Sequence, residues 1–367
     1  MKVAVLVPGG VDRSGEYRVI PALLALIARL ARVHELHVFA LAQEPHPDTW
    51  PLGGATIHNI GGRWRVPRAV MALRAEHRRA PFALVHAIWS GPVGLAAVLA
   101  ARVLGVPSAV HLTGGEVVSY PEIAYGALRW RRWRLIEPRV LRAADEVSAT
   151  SEPIVAAAAR FGVRPRRVPL GVSLDDWPRR EPAMRDARGT ARLLHVASLN
   201  RVKDQPTLLR ALQRVAAAGV DFHLDVVGDD VLHGEIQTLA RQFGLSPRIT
   251  FHGFLTQRAL RPLVEAAHVH VFCSRHEAGP FVLLEAAVAG VPSVGTSVGH
   301  VTEWPADAII SVPVGAPEEL ARGILRLLHD EPLRLQVARA AQDRATREDA
   351  NHTAACFLDM YSRLVAR

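Results

Sequence analysis

The chain reads as an α/β protein of two doubly wound domains, each a mainly parallel sheet with helices on both faces. Three observations carry that reading. Apolar runs of strand length, such as KVAVLVP, ELHVFAL and RLLHVASL, recur along the chain; stretches of helical periodicity separate them; and the alternation breaks once, in a polar stretch at 176–190, before resuming. With 367 residues, 49% hydrophobic and 22% charged, the chain can bury two cores, which excludes disordered and fibrous classes. Sheets of this kind bind ligands beyond their strand carboxyl ends, so a central cleft faced by both domains is expected.

Taken in order, KVAVLVP is a strand entering a glycine turn and 20–31 a helix. ELHVFAL and ALVHAIW are strands, 93–104 is a helix and PSAVHLT a further strand. DWPRREPAMRDARGT, with two prolines and no apolar period, reads as a linker. In the second half RLLHVASL, FHLDVVG, RITFHGF, VHVFCS and PSVGT are strands, interleaved with helices at 205–218, 234–243, 258–267 and 282–289. Residues 316–345 and 353–367 are helical. The expected divisions are 1–175, a linker at 176–190, 191–345, and a C-terminal helix at 346–367 packing back on the first domain.

The formal net charge of +9 is unevenly placed: residues 1–175 hold 22 Lys/Arg against 13 Asp/Glu, and 176–367 hold 22 of each. A basic first half implies an anionic partner, such as an acidic lipid surface or a phosphorylated or lipid-linked acceptor. Arg129, Arg131, Arg132, Arg134, Arg139 and Arg142 flank Trp130, Trp133 and Ile136 at three-residue spacing. Such a helix either lies on a membrane surface or packs its tryptophans inward and solvates its arginines. A second group, Arg63, Trp64, Arg65, Arg68, Arg74, Arg78 and Arg79, favours surface contact. No dedicated nucleic-acid motif accompanies these patches. Apolar runs end well short of the roughly 20 residues a membrane span needs. Cys273 and Cys356 alone make no disulfide framework. The N-terminal segment reads as a strand and not a signal peptide, so the expected location is cytoplasmic, with peripheral contact at the inner membrane face.

The densest chemistry lies in HEAGPFVLLEAAVAGVP, where a strand ends near Ser274 and a helix begins at about Phe281. A loop entering a helix there points backbone N–H groups and the positive helix end into the cleft, which suits a diphosphate. Glu277 and Glu285, eight positions apart, suit sugar hydroxyls; the plainer alternatives are a helix cap and a surface residue.

This segment resembles the E-x7-E motif of glycosyltransferase family 4. ASLNRVKDQPTLLRA, VVGDD, FHGFL, SVGHVTE and PLGVSLDDW resemble further motifs of that family, so the resemblance covers nearly the whole chain and is weakest in the first 120 residues. It implies the GT-B architecture of two Rossmann-like domains. It also implies a retaining transfer of a hexose-type sugar from a nucleoside diphosphate sugar to a hydroxyl acceptor, as in cell-envelope polysaccharide or glycolipid synthesis. By this resemblance Glu277 would hold donor-sugar hydroxyls, with Gly279, Pro280, Phe281 and Val282 on sugar and phosphate, and Glu285 the ribose. Lys203 would neutralise the diphosphate. The family's partner arginine falls on Ser198, and Arg201 is the candidate replacement. Gly253 and Leu255 would border the base, and Gly15 would let backbone approach the phosphate.

On the acceptor side, the position of the family's usual histidine falls on Thr113; His111, two residues earlier on the same strand face, is either its substitute or a packed strand histidine. Glu116, after two glycines, is the candidate to bind or deprotonate the acceptor hydroxyl, or else a helix N-terminal carboxylate. His268 and His270 alternate on a strand before Cys273 but would lie inside a parallel sheet, and no Asp-x-Asp is present, so no metal and no cofactor is expected. The first turn, PGGVDRSGEY, lacks the dinucleotide fingerprint of a dehydrogenase. The reading from another class is a catalytically inactive sugar-nucleotide or anionic-lipid binding protein of the same fold.

Overall fold

The computed structural model describes residues 1–186 and 188–366. They form two units, Met1–Gly171 with the chain from Ala350 onward, and Val172–Asp349. In the first unit the order is β1 (Lys2–Val7), α1 (Pro21–Ala31), β2 (Glu35–Ala40), β3 (Asp48–Leu52), β4 (Ala55–Asn59), α2 (Arg65–Arg79), β5 (Leu84–Ile88), α3 (Pro92–Leu104), β6 (Ser108–Leu112), α4 (Arg131–Ala143), β7 (Glu146–Ala149), α5 (Glu152–Ala159) and β8 (Arg166–Arg167). The second continues with β9 (Ala191–Val196), α6 (Gln205–Ala217), β10 (Phe222–Val227), α7 (Glu235–Gln242), β11 (Ile249–Gly253), α8 (Gln257–Ala266), β12 (Val269–Phe272), α9 (Phe281–Val288), β13 (Ser293–Thr296), β14 (Ile310–Val312), α10 (Pro317–His329) and α11 (Glu331–Arg347). The last helix, α12 (Ala350–Val365), belongs to the first unit.

KVAVLV forms β1 because all six residues are buried, as a strand covered on both faces requires. The first sheet runs β3-β4-β2-β1-β5-β6-β7-β8, parallel except for the antiparallel β3–β4 pair at its edge. The second runs β11-β10-β9-β12-β13-β14 and is parallel throughout. Strand order reverses between β1 and β5 in one sheet and between β9 and β12 in the other. At such reversals successive connections leave to opposite faces, and a gap opens at the strand carboxyl ends.

The stretch 176–190, expected to be a linker, is packed onto the second unit in its described residues, with Ala187 outside them. Trp177 is buried and its Nε1 donates to Gln257 Oε1 at 2.9 Å. Gln342 Nε2 donates to the Arg180 carbonyl at 2.7 Å, and the Arg185 amide donates to Glu331 Oε1 at 2.8 Å. Side chains of α11 thus satisfy a polar backbone that has no apolar period of its own. The division falls at Gly171/Val172 and again at Asp349/Ala350.

Helix α12 covers one face of the first sheet. Phe357 is fully buried against His86 and His111, with ring centroids 4.9 and 5.1 Å apart, and Tyr361 Oη lies 2.7 Å from His86 Nδ1. Burial without a charged partner depresses the His86 pKa to about 3, so this histidine stays neutral. Phe357→Ala is expected to cost the first unit about 3–5 kcal/mol in urea unfolding, and Phe357→Leu much less; equal, small losses would show that α12 adds little to that core.

Candidate active site

The loops after β9 and β12, the strands flanking the reversal, carry the chemistry of the second unit. After β9 the chain turns at Asn200, whose Oδ1 accepts the amides of Val202 and Lys203 at 3.0 and 3.1 Å, and then enters α6. Gln205, buried at the start of α6, donates to the Ser198 carbonyl at 3.1 Å and lies 3.2 Å from His195 Nε2. This bracing delivers the Lys203 ammonium onto Glu277 Oε1, which also accepts Ser274 Oγ at 2.6 Å. The pair is partly buried, 25% and 13% exposed at the side chains, so solvent screens it less than a surface pair. Asn200, Gln205 and Ser274 were not among the candidate site residues read from the sequence.

The Glu277 loop is closed from behind. Gly299 has φ +55°, and a Cβ there would come within 2.6 Å of the Glu277 carbonyl, while the His300 amide donates to the Ala278 carbonyl at 3.2 Å. Pro280 precedes the first turn of α9, whose leading N–H groups have no intrahelical acceptor. On the other side Gly228, with φ +145°, packs so tightly on the Ala197 carbonyl and Ser198 amide that a Cβ would overlap them. Its amide donates to the Gly253 carbonyl at 2.8 Å. The loops holding Ser198, Gly228 and Gly253 therefore form one contiguous edge. Leu255 packs instead against the apolar cluster beneath.

Glu285 lies one turn into α9, 4% exposed, with Oε2 unpartnered among the described residues. Burial lifts its pKa to about 7, partly offset by a hydrogen bond from Gln257. It is an inward-facing carboxyl with a vacant acceptor and not a surface residue. Arg201 does not join the cluster: its guanidinium reaches both carboxylate oxygens of Glu235 at 3.1 and 3.2 Å in an exposed pair. Lys203 is thus the cation placed on Glu277.

The first unit has a cavity of about 600 Å³ at the carboxyl ends of β1, β2, β5 and β6. Glu116 lines it, buried, with its carboxylate accepting the amides of Gly114 at 2.7 Å, Thr113 at 3.2 Å and Ser90 at 3.4 Å. Burial raises its pKa despite these donors. Glu116 therefore clamps two loops as well as facing the cavity. Behind it Glu137, fully buried, accepts the Gly91 amide at 3.2 Å; burial first and the Glu116 charge second lift its pKa to about 7. Trp130 and Trp133 line the same cavity, so α4 neither buries its tryptophans in the core nor turns both wholly to solvent.

His111 is not placed to act on an acceptor. It is wholly buried, Nδ1 is 2.9 Å from Ser148 Oγ, Nε2 is 3.3 Å from Thr150 Oγ1, and the Phe357 ring covers it. Thr113 is half-buried with Oγ1 unpartnered among the described residues. Gly15, with φ +70°, closes a turn onto the Asp12 carbonyl at 3.0 Å in the loop after β1.

The strand residues weighed as metal ligands are engaged elsewhere: His270 Nδ1 lies 3.0 Å from Ser293 Oγ, His268 Nδ1 accepts the Arg192 amide at 3.0 Å, and Cys273 Sγ lies 3.0 Å from the Lys203 carbonyl. Elsewhere His37, His58 and Glu76 bring ligand atoms within 4.8 Å of one another. Lys2 Nζ, 2.7 Å from Glu76 Oε1, already supplies positive charge there.

Residues 19–171 match the family described as "Glycosyl transferase 4-like domain" and residues 184–344 the one described as "Glycosyl transferases group 1". The chain belongs to the glycosyltransferases of GT-B architecture. It is 32% identical to EpsF of Bacillus subtilis (strain 168) over 58% of the chain, a match spanning 57% of that protein's length. It is 27% identical to the D-inositol 3-phosphate glycosyltransferase of Xylanimonas cellulosilytica over 98% of the chain and 94% of the relative. Among solved structures, sucrose-phosphate synthase from Thermosynechococcus elongatus superposes with a TM-score of 0.83 at 20% identity, covering all of both chains. Anabaena HepE, solved with UDP and glucose, superposes with a TM-score of 0.78 at 17% identity over 99% of this chain and 100% of that one.

The folded state holds the Glu285 proton more tightly than the unfolded chain does, about 7 against 4.5. The stability this gives is complete below pH 4.5 and lost as pH rises through 7. Glu285→Gln cannot ionise, so between pH 4.5 and 8 it should gain about 3 kcal/mol on the parent protein in urea unfolding. A pH-independent difference would show that the carboxyl is ionised throughout.

Proposed function

We propose that the protein transfers a hexose-type sugar, with retention at the anomeric carbon, from a nucleoside diphosphate sugar bound by the second unit to a hydroxyl of an acceptor bound by the first. The observation that carries this reading is the Lys203–Glu277 pair spanning the reversal between β9 and β12. A diphosphate needs positive charge and N–H donors, which Lys203 and the start of α9 offer; a pyranose needs fixed hydroxyl acceptors, which Glu277 offers; a ribose needs a deeper one, which Glu285 offers. That HepE was solved with UDP and glucose supports a nucleotide-sugar ligand.

In the reaction the bond from the anomeric carbon to the diphosphate oxygen breaks and the acceptor hydroxyl oxygen bonds the same face of that carbon. The hydroxyl proton passes to the leaving diphosphate. Lys203 and the α9 amides stabilise the growing negative charge, so the step runs without a metal ion or cofactor. Retention and the ring class rest on the likeness of the Glu277–Glu285 segment to the E-x7-E motif.

We place the enzyme in the cytoplasm, touching an anionic membrane face while building an envelope polysaccharide or glycolipid. Among the described residues no helix is long and apolar enough to cross a membrane. The first unit exposes Trp64, Met71, Trp130 and Leu135 among arginines, the mixture that settles at a headgroup layer.

In a thermal-shift panel of nucleoside diphosphates without metal, one base should raise the melting temperature, and Lys203→Ala should abolish the shift. Glu277→Ala should lower transfer by at least about 100-fold while keeping the shift. Near-normal turnover in Glu277→Ala would remove its assigned role, and a shift without turnover on any acceptor would move the protein to a binding function. Replacing Arg129, Arg131, Arg132 and Arg134 by Gln should weaken salt-sensitive binding to anionic vesicles; unchanged binding would exclude this surface.

A further inference from the structure

Trp89, at the carboxyl end of β5, has φ +76°, a left-handed conformation that is costly for a bulky aromatic residue. Such a conformation persists only where its surroundings over-determine it. Here they do. The amide of Trp89 donates to the His111 carbonyl at 2.9 Å, that of Ser90 to Glu116 at 3.4 Å and that of Gly91 to Glu137 at 3.2 Å. Three consecutive N–H groups are thus tied to a neighbouring strand and to two buried carboxyls, leaving the backbone no relaxed alternative.

The tied turn presents the Trp89 indole to the cavity, which Tyr125, Trp130 and Trp133 also line. Aromatic faces carry partial negative charge and attract the weakly positive C–H faces of a sugar ring. Two cations, Arg65 and Arg129, also line the cavity. Arg65 Nε is held by the Gly62 carbonyl at 3.2 Å, and the Arg129 guanidinium lies 4.8 Å over the Trp130 ring, which orients its planar fork. Planar guanidinium groups held this way match phosphate oxygens in pairs.

We propose that this cavity takes a pyranose bearing a phosphate group, with Trp89 as the stacking platform for the ring, Arg65 and Arg129 on the phosphate, and Glu116 accepting a ring hydroxyl. The proposal rests on the transferase reading in that this ligand would be the acceptor. It also commits the cavity to a ligand class whether or not transfer is observed. The phosphate belongs either to a free sugar phosphate or to a glycolipid headgroup.

The test is calorimetric titration of the whole chain with glucose, glucose 6-phosphate and a polyprenyl-phosphate-linked glucose in detergent, for the parent protein, Trp89→Ala, Trp89→Phe and Arg65→Ala/Arg129→Ala. The phosphorylated sugars should bind at least about 10-fold more tightly than glucose. Trp89→Ala should weaken them by about 10-fold or more, and Trp89→Phe by much less. The double arginine variant should bring them down to the level of glucose. The tighter of the two phosphorylated ligands identifies the source. All variants should keep the thermal shift from the nucleoside diphosphate, which reports folding and donor binding separately. Equal binding of glucose and both phosphorylated sugars, no binding of any of the three, or undiminished binding by Trp89→Ala would each overturn the proposal. Loss of the nucleotide shift in the parent protein would instead overturn the donor reading.

Discussion

The constraint on which the rest depends is the reversal of strand order in each sheet. A parallel sheet buried on both faces has nowhere to place a ligand except beyond its strand ends, and only at a reversal do adjacent connections diverge enough to leave room. In the second sheet the gap lies between β9 and β12, and the loops there bring together a lysine and a glutamate 74 positions apart. In the first it lies between β1 and β5, next to a strained Trp-Ser-Gly turn and a cavity. Side chains at these edges are held by backbone groups and small residues more than by one another. Asn200, Gln205 and Gly299 shape one loop pair, and Glu116 and Glu137 shape the other.

Charge is handled differently at the two edges. In the second unit the cation and the anion of the cluster neutralise each other and are partly open to water. In the first, two carboxyls are buried within one small region with no cation on either among the described residues, and burial raises their proton affinity. Backbone amides are what make that burial tolerable, since each carboxyl accepts at least one.

The alternation of strand and helix was legible because strands such as β1 and β12, buried along their whole length, read as short apolar runs. Glu277 stood out through the likeness of its strand-to-helix loop to the E-x7-E motif, and Lys203 through the likeness of its segment to a further motif of that family. Other features depend on contacts that span most of the chain. Strand parity left His111 open as either a substitute or a packed residue, and the face it shares is filled by Phe357, 246 positions later. Arg201 was adjacent in sequence to the cluster but found a carboxylate on α7 first. The 176–190 stretch lacked periodicity because polar side chains of α11 bond its backbone at Arg180, Ala183 and Arg185. The β3–β4 hairpin did leave a signal, Gly53–Gly54 between two runs of strand-forming residues, which the dominant parallel pattern masked. Likewise the single helical stretch at 316–345 is two helices, since Asp330 caps a new start ahead of Pro332.

The pairing of Lys203 with Glu277 has a bearing on turnover. A ligand that brings only a diphosphate would compete with Glu277 for the lysine and leave that carboxylate with the Ser274 hydroxyl as its remaining partner. A ligand that brings a sugar as well offers hydroxyls in exchange. On the transferase reading, the pair would therefore make the spent nucleotide bind Lys203 more weakly than the complete donor does, because Glu277 competes for the lysine once the sugar has gone. The resting ion pair would then set how weakly the enzyme is inhibited by its own product.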